Sequence, residues 1–208
     1  MSKILVSTCP NCGANLSGGI EMVCEFCGSA YMPKNLSTLA KMDRTTKHKY
    51  ITSYKEILQD HAGNVPISIS LAMCHIDAGN YEFALNILEK LANNDCTDPN
   101  VFYYITLAML EGKKPRVLHM NKIRRLESFL NSAQFLSGGD GFYYILQAAI
   151  KRDYYEYYLF NRHPGDGSKT LLEKANQYTL DAGEIHELMK LINLDPDDRQ
   201  YFDSVLAI

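Results

Sequence analysis

No stretch of this sequence approaches eighteen consecutive apolar residues, so the sequence predicts no membrane-spanning helix. Neither sign of charge dominates: 21 Lys and Arg stand against 24 Asp and Glu, a formal net charge of −3. With 46% hydrophobic residues this is the composition of an ordinary soluble globular chain. Common catalytic signatures are also missing. There is no His-Glu-x-x-His pair, no Gly-x-Ser-x-Gly elbow and no Gly-x-x-x-x-Gly-Lys loop. The six histidines stand singly in different segments. Cys74 and His75 are neighbours, and on a helix they point about 100° apart, too far to work as a nucleophile and its base. The expectation is a protein that is not an enzyme. Met1 to Val6 holds too few apolar residues for the core of a signal peptide.

Cysteine is scarce, yet four of the six are concentrated in two knuckles. Cys9-Pro10-Asn11-Cys12-Gly13 is followed by Cys24-Glu25-Phe26-Cys27-Gly28. Four thiolates in two Cys-x-x-Cys pairs suit a closed tetrahedral metal site, zinc above all. The glycine after each second cysteine fits a turn with positive φ that brings backbone N–H groups toward sulfur. So short a segment cannot bury a core, and a bound metal supplies the folding energy instead. Redox dithiols and an iron site of the rubredoxin kind are the alternatives. Reduced pairs of this sort predict a reducing, cytoplasmic setting. Cys74 and Cys96 are expected to be buried small apolar residues. The pattern Cys-Pro-x-Cys-Gly, short hairpin, Cys-x-x-Cys-Gly resembles the zinc-ribbon family. That resemblance implies one structural zinc on Cys9, Cys12, Cys24 and Cys27. It also implies a hairpin with arms at Asn15-Leu16 and Met22-Val23, and a third short strand over Ser29–Met32.

From about Thr46 the apolar spacing is helical. Tyr50, Ile51, Tyr54, Ile57, Leu58 and His61 share a face, which makes His61 a packed histidine by expectation. A helix from Pro66 to about Ala78 is apolar on two sides and is expected between neighbours. After Gly79-Asn80-Tyr81 a second helix turns Ala84, Leu85, Leu88 and Leu91 inward. Leu71 and Ala72, the Gly79-Asn80-Tyr81 turn, Ala84 and Leu88, and the Asp98-Pro99 exit resemble a tetratricopeptide repeat. Phe102-Tyr103-Tyr104-Ile105 recurs forty residues later as Phe142-Tyr143-Tyr144-Ile145. Each copy opens an apolar helix, a period that fits stacked helix pairs. Ser168 is expected to cap a later helix. Asp181-x-x-Glu184 and Asp195-Pro196 open two short terminal helices. The expected architecture is mainly α: a small β zinc ribbon over 1–34, a connecting helical segment over 35–62, and a tetratricopeptide-like α-solenoid with C-terminal capping helices over 63–208.

Two further patterns bear on partners. Lys113, Lys114, Arg116, Lys122, Arg124 and Arg125 precede any acid before Glu127. They are expected mainly as solvated side chains, with nucleic acid or an acidic protein as alternatives. Six tyrosines lie at 143, 144, 154, 155, 157 and 158. Core packing is expected for most, with the exposed members lining a binding surface. The functional expectation is a non-enzymatic adaptor or scaffold that binds a peptide or helix of another protein. Tyr154, Tyr155, Tyr157, Tyr158, Arg124 and Arg125 are the candidate contacts. The alternative is a nucleic-acid-associated regulator that uses the basic stretch.

Overall fold

A computed structural model describes residues 8–9, 11–15, 24, 26–27, 32–33, 35–160 and 165–206. Most of its helices begin where a short polar side chain meets backbone N–H groups that the helix cannot satisfy itself. Asn35 accepts from Thr38 N at 2.9 Å and opens α1 (Leu36–Ala40). Asp43 accepts from Thr46 N at 3.0 Å and opens α2 (Arg44–Asp60). Asn64 accepts from Ile67 N at 3.1 Å and opens α3 (Val65–Asp77). After a turn at Gly79-Asn80 comes α4 (Tyr81–Asn93). Asp98 and Asp140 accept from Asn100 N and Phe142 N to open α5 (Pro99–Leu110) and α7 (Gly141–Ile150). Between them α6 (Met120–Ser137) starts on His119 Nδ1. Then follow α8 (Ser168–Ala175), α9 (Ala182–Leu191), capped by Asp181, and α10 (Pro196–Leu206). The chain is mainly α, and among the described residues the only β pairing is a single bridge between Thr8 and Asn15. The expected ribbon arms and third strand fall largely outside the described residues.

Backbone proximity divides the chain into two compact units, Met1–Leu91 and Ala92–Ile208. In the first, α1 and α2 pack on α3. Residues Ile67 to Ile76 are all buried, as expected of a helix apolar on two sides. Tyr50 and Tyr54 of α2 are fully buried and meet edge to face at 5.8 Å. Lys47 and Asp77 close the pair with an ion pair of 2.7 Å. Leu71, Ala72, Ala84 and Leu88 are buried, as the repeat pattern requires. Full burial of a leucine such as Leu88 contributes about 1.5–3 kcal/mol. His61 is exposed, contrary to expectation. It follows the last helical residue with φ −135°, so its side chain leaves the apolar face.

In the second unit α5 pairs with α6 and α7 with α8, and α10 packs on α8. The repeated Phe-Tyr-Tyr-Ile segment is repeated in space as well as in sequence. Tyr103 and Tyr143 stack at 5.0 Å, and the Tyr143 hydroxyl contacts Asn100 Oδ1 at 3.3 Å. Gly141 begins α7 under Leu180 and Tyr178. A Cβ there would lie 2.5 Å from Leu180 Cδ2 and 3.3 Å from the Ala175 carbonyl, so only glycine fits without a shift. The α7 helix runs on into a π-helical segment, Lys151–Glu156. Ser168 is the first residue of α8 rather than its cap. Its N–H and hydroxyl donate to the Glu156 carboxylate at 2.9 and 3.0 Å, so the π segment provides the cap.

Candidate functional site

In the first unit the two knuckles converge. Cys9 Sγ lies 3.7 Å from Cys27 Sγ, and Cys12 Sγ lies 3.7 Å from Cys24 Sγ. All four sulfurs fall within 4.8 Å of one another. A metal–sulfur bond of about 2.3 Å in a tetrahedron gives sulfur–sulfur edges of about 3.8 Å. The observed spacing therefore fits a four-thiolate metal site and is far too long for disulfides. Backbone geometry supplies the rest. Gly13 N donates to Cys9 O at 2.9 Å and Cys9 N to Ala14 O at 2.8 Å, with Gly13 at φ +74°. The N–H groups of Cys12 and Asn11 point at the Cys9 sulfur, and Asn11 Nδ2 donates to Cys27 Sγ at 3.9 Å. Burial pushes the Cys9 thiol up to about 12, against those N–H groups, and the neighbouring sulfurs of Cys12 and Cys24 push it further. A cation among the four reverses that balance by favouring thiolates.

The cluster is tied to the helices behind it. Lys49 Nζ donates to Asn11 O at 3.0 Å. Buried Tyr50 lies close enough to Cys9, Cys27, Cys74 and Cys24 that, after desolvation, they help hold its hydroxyl above the usual tyrosine range. Tyr50 is thus a structural neighbour of the candidate metal centre. The sequence marked it only as apolar. Cys74 is buried, and burial pushes its thiol up to about 12, which makes it inert. Cys96 is only half-buried.

The second unit carries an open groove of about 910 Å³. Phe102, Phe135 and Leu136 form its apolar wall, and Arg124, Asn131 and Gln147 its polar one. Phe135 is almost fully exposed. Gln147 is held on both sides, accepting from Gln134 Nε2 at 3.0 Å and donating to Asn131 Oδ1 at 3.1 Å. Beneath lie two buried charges. Lys151 pairs with Glu127 Oε1, and the Tyr155 hydroxyl donates to Glu127 Oε2 at 2.8 Å.

The candidate contact residues separate in space. Tyr154 and Tyr155 are buried, whereas Tyr157 and Tyr158 are exposed. Arg124 and Arg125 are exposed on α6, and Arg124 lines the groove. The arginine that meets an exposed tyrosine is Arg116, whose guanidinium lies 4.0 Å over the Tyr157 ring. Arg116 also anchors three aspartates. Its N–H and Nε donate to the two oxygens of buried Asp153 at 2.7 Å, and Nη2 reaches Asp195 at 2.8 Å and Asp198 at 3.5 Å. Hydrogen bonding to Asp153 holds the guanidinium above its ordinary range. Lys114 pairs with Asp195, and Lys113 and Lys122 both pair with Glu111. Most of the basic stretch is therefore neutralised within the chain. Glu111 adjoins the run, whereas the aspartates that neutralise Lys114 and Arg116 lie far along the chain and left no local signal in the sequence.

No helix among the described residues is long and apolar enough to cross a membrane. No curated protein and no solved structure matches the chain. A family profile described as a tetratricopeptide repeat matches residues 51–103, which run from α2 through α3 and α4 into α5.

Proposed function

We propose that this chain is a non-enzymatic adaptor that holds a peptide or helix of another protein, with a structural zinc ion on Cys9, Cys12, Cys24 and Cys27. The observation that carries the binding reading is the groove. It joins exposed Phe135 and Leu136 to Arg124 across an open floor, the mixture of apolar anchor and oriented polar groups that peptide sites use. Tetratricopeptide repeats are interaction modules, and the match over 51–103 favours the same reading. Nucleic acid is disfavoured, because Lys113, Lys114, Arg116 and Lys122 already face carboxylates.

Zinc is favoured over redox work by the absence of an open coordination position in a four-thiolate cluster. Elemental analysis of the purified chain should find about one zinc per chain, and Cys24→Ser should abolish it. Iron in its place would overturn the zinc assignment. For the groove, peptides selected from a random display library against the full-length protein should lose binding in Arg124→Glu and Phe135→Asp. If selected peptides bind both folded variants as well as the wild type, the groove is not the binding surface.

A further inference from the structure

Four thiolates around a divalent ion leave negative charge in surplus, so the sulfurs of this cluster need hydrogen-bond donors or positive charge brought to them. Cys9 and Cys24 have the greater need. Both are buried, whereas Cys12 and Cys27 are exposed and can be solvated by water. A buried sulfur must find its donors within the chain. For Cys9 the knuckle's own backbone supplies them, in the N–H groups of Asn11 and Cys12.

One of those N–H groups is not isolated. The Cys12 N–H shares its peptide unit with the Asn11 carbonyl, and that carbonyl accepts from Lys49 Nζ at 3.0 Å. The peptide unit is conjugated, so charge drawn toward its oxygen makes its N–H a stronger donor. An ammonium at the oxygen therefore acts on the sulfur at the other end of the same unit. Lys49 reaches in from α2, 38 residues along the chain. The next residue, Tyr50, is fully buried near the same sulfurs and keeps water from that flank. A water-poor flank strengthens each hydrogen bond in the chain from ammonium to sulfur. Asn11 also bridges the two knuckles, since its side-chain amide donates to Cys27 Sγ at 3.9 Å.

We propose that Lys49 is a positioning residue of the metal site, acting through the Asn11–Cys12 peptide to strengthen the N–H donor that supports the Cys9 sulfur on the metal. The inference rests on the four-thiolate zinc reading above. It gives Lys49 a task distinct from that of its neighbour Lys47, which pairs with Asp77 inside the helical part of the unit. Removing such an outer group lowers metal affinity by about 10- to 100-fold. Lys49 is exposed, and solvent screens an exposed charge, so the lower end of that range, about tenfold, is expected.

The test uses the full chain and two metals. Competition with a chromogenic chelator reads zinc affinity, and loading with Co²⁺ reads the thiolate-to-metal charge-transfer band. Lys49→Met keeps the stem and removes the ammonium. It should weaken zinc binding about tenfold. It should also move the cobalt band to lower energy, because a sulfur that receives a weaker hydrogen bond gives up its electrons more readily. Lys49→Arg keeps a cationic donor and should restore both readings. The position is exposed, so neither substitution threatens the fold. A methionine variant that binds zinc within about twofold of the wild type would overturn the proposal. So would weaker zinc binding with an unmoved cobalt band, since a lysine that only fastened the knuckle to α2 would loosen the site without changing its sulfurs. The zinc reading is checked separately on the wild type. A wild type that takes up no zinc overturns both, whereas about one zinc per chain with unaltered binding in Lys49→Met overturns the relay alone.

Discussion

Replacing Lys151 with methionine tests the buried charge beneath the groove. The Lys151 side chain is 2% exposed and its Glu127 partner 8%. The ammonium also lies 4.6 Å from the centre of the Tyr155 ring. Methionine keeps most of the stem and its packing but removes the charge. Glu127 then keeps its bond from Tyr155 and loses its cation. Breaking one side of a buried pair costs about 3–5 kcal/mol, set against a total stability of about 5–15 kcal/mol for a typical domain. The double variant Lys151→Met/Glu127→Gln removes the stranded charge and keeps an acceptor for Tyr155. It should recover to within about 1–2 kcal/mol of the wild type, since one neutral hydrogen bond is worth about 1 kcal/mol. Urea unfolding by far-UV circular dichroism reads the total. Tyrosine fluorescence is a second probe, as the chain has 14 tyrosines and no tryptophan. Coincident transitions would justify a single free energy. If Lys151→Met lies within about 1 kcal/mol of the wild type, or the double variant is no more stable than the single one, charge burial is not what this pair contributes.

Ala84 is fully buried on α4, so Ala84→Phe should overpack its contacts and cost about 1–3 kcal/mol; an unchanged urea midpoint would contradict the packing described. His75 is buried and stacked on Phe83 at 5.6 Å, and its Nδ1 has no hydrogen-bond partner. Burial, and secondarily Lys55, lowers its pKa below the ordinary 6.5. As pH falls below that value the unfolded chain binds a proton that the folded chain resists, so stability falls until pH passes the folded value. Thermal midpoints at about pH 7.5 and about pH 5.5 should differ more in the wild type than in His75→Leu. Equal differences would exclude His75 as the source.

Some helix starts were readable because capping is local: Asp181-x-x-Glu184 is expected to open a helix, and the Asp181 side chain accepts from Glu184 N at 2.8 Å. The cysteine cluster was readable for the same reason, since the two cysteines of each pair stand only three residues apart in the sequence. The tyrosines were harder. A face count assumes 3.6 residues per turn, but Tyr157 N–H bonds Arg152 O at 3.2 Å, five residues back. That π register shifts every later side chain around the axis. Tyr154 and Tyr155 turn inward and Tyr157 and Tyr158 outward, a split that a uniform period does not give.

Charge shows the limit most sharply. Within residues 113–125 the sequence holds six cations and no acid, which looks like a surface for phosphates. Asp153, Asp195 and Asp198 lie 37 to 82 residues beyond Arg116 and belong to the π segment and the start of α10. A window along the chain cannot see them. Once the fold brings them to Arg116, the basic run acts as an internal brace and helps to set the exposed tyrosines beside Val117. Arg124 keeps its place in the groove. The cations that suggested a partner outside the chain therefore do most of their binding inside it. The recognition proposed at the groove therefore rests more on shape and apolar contact than on charge.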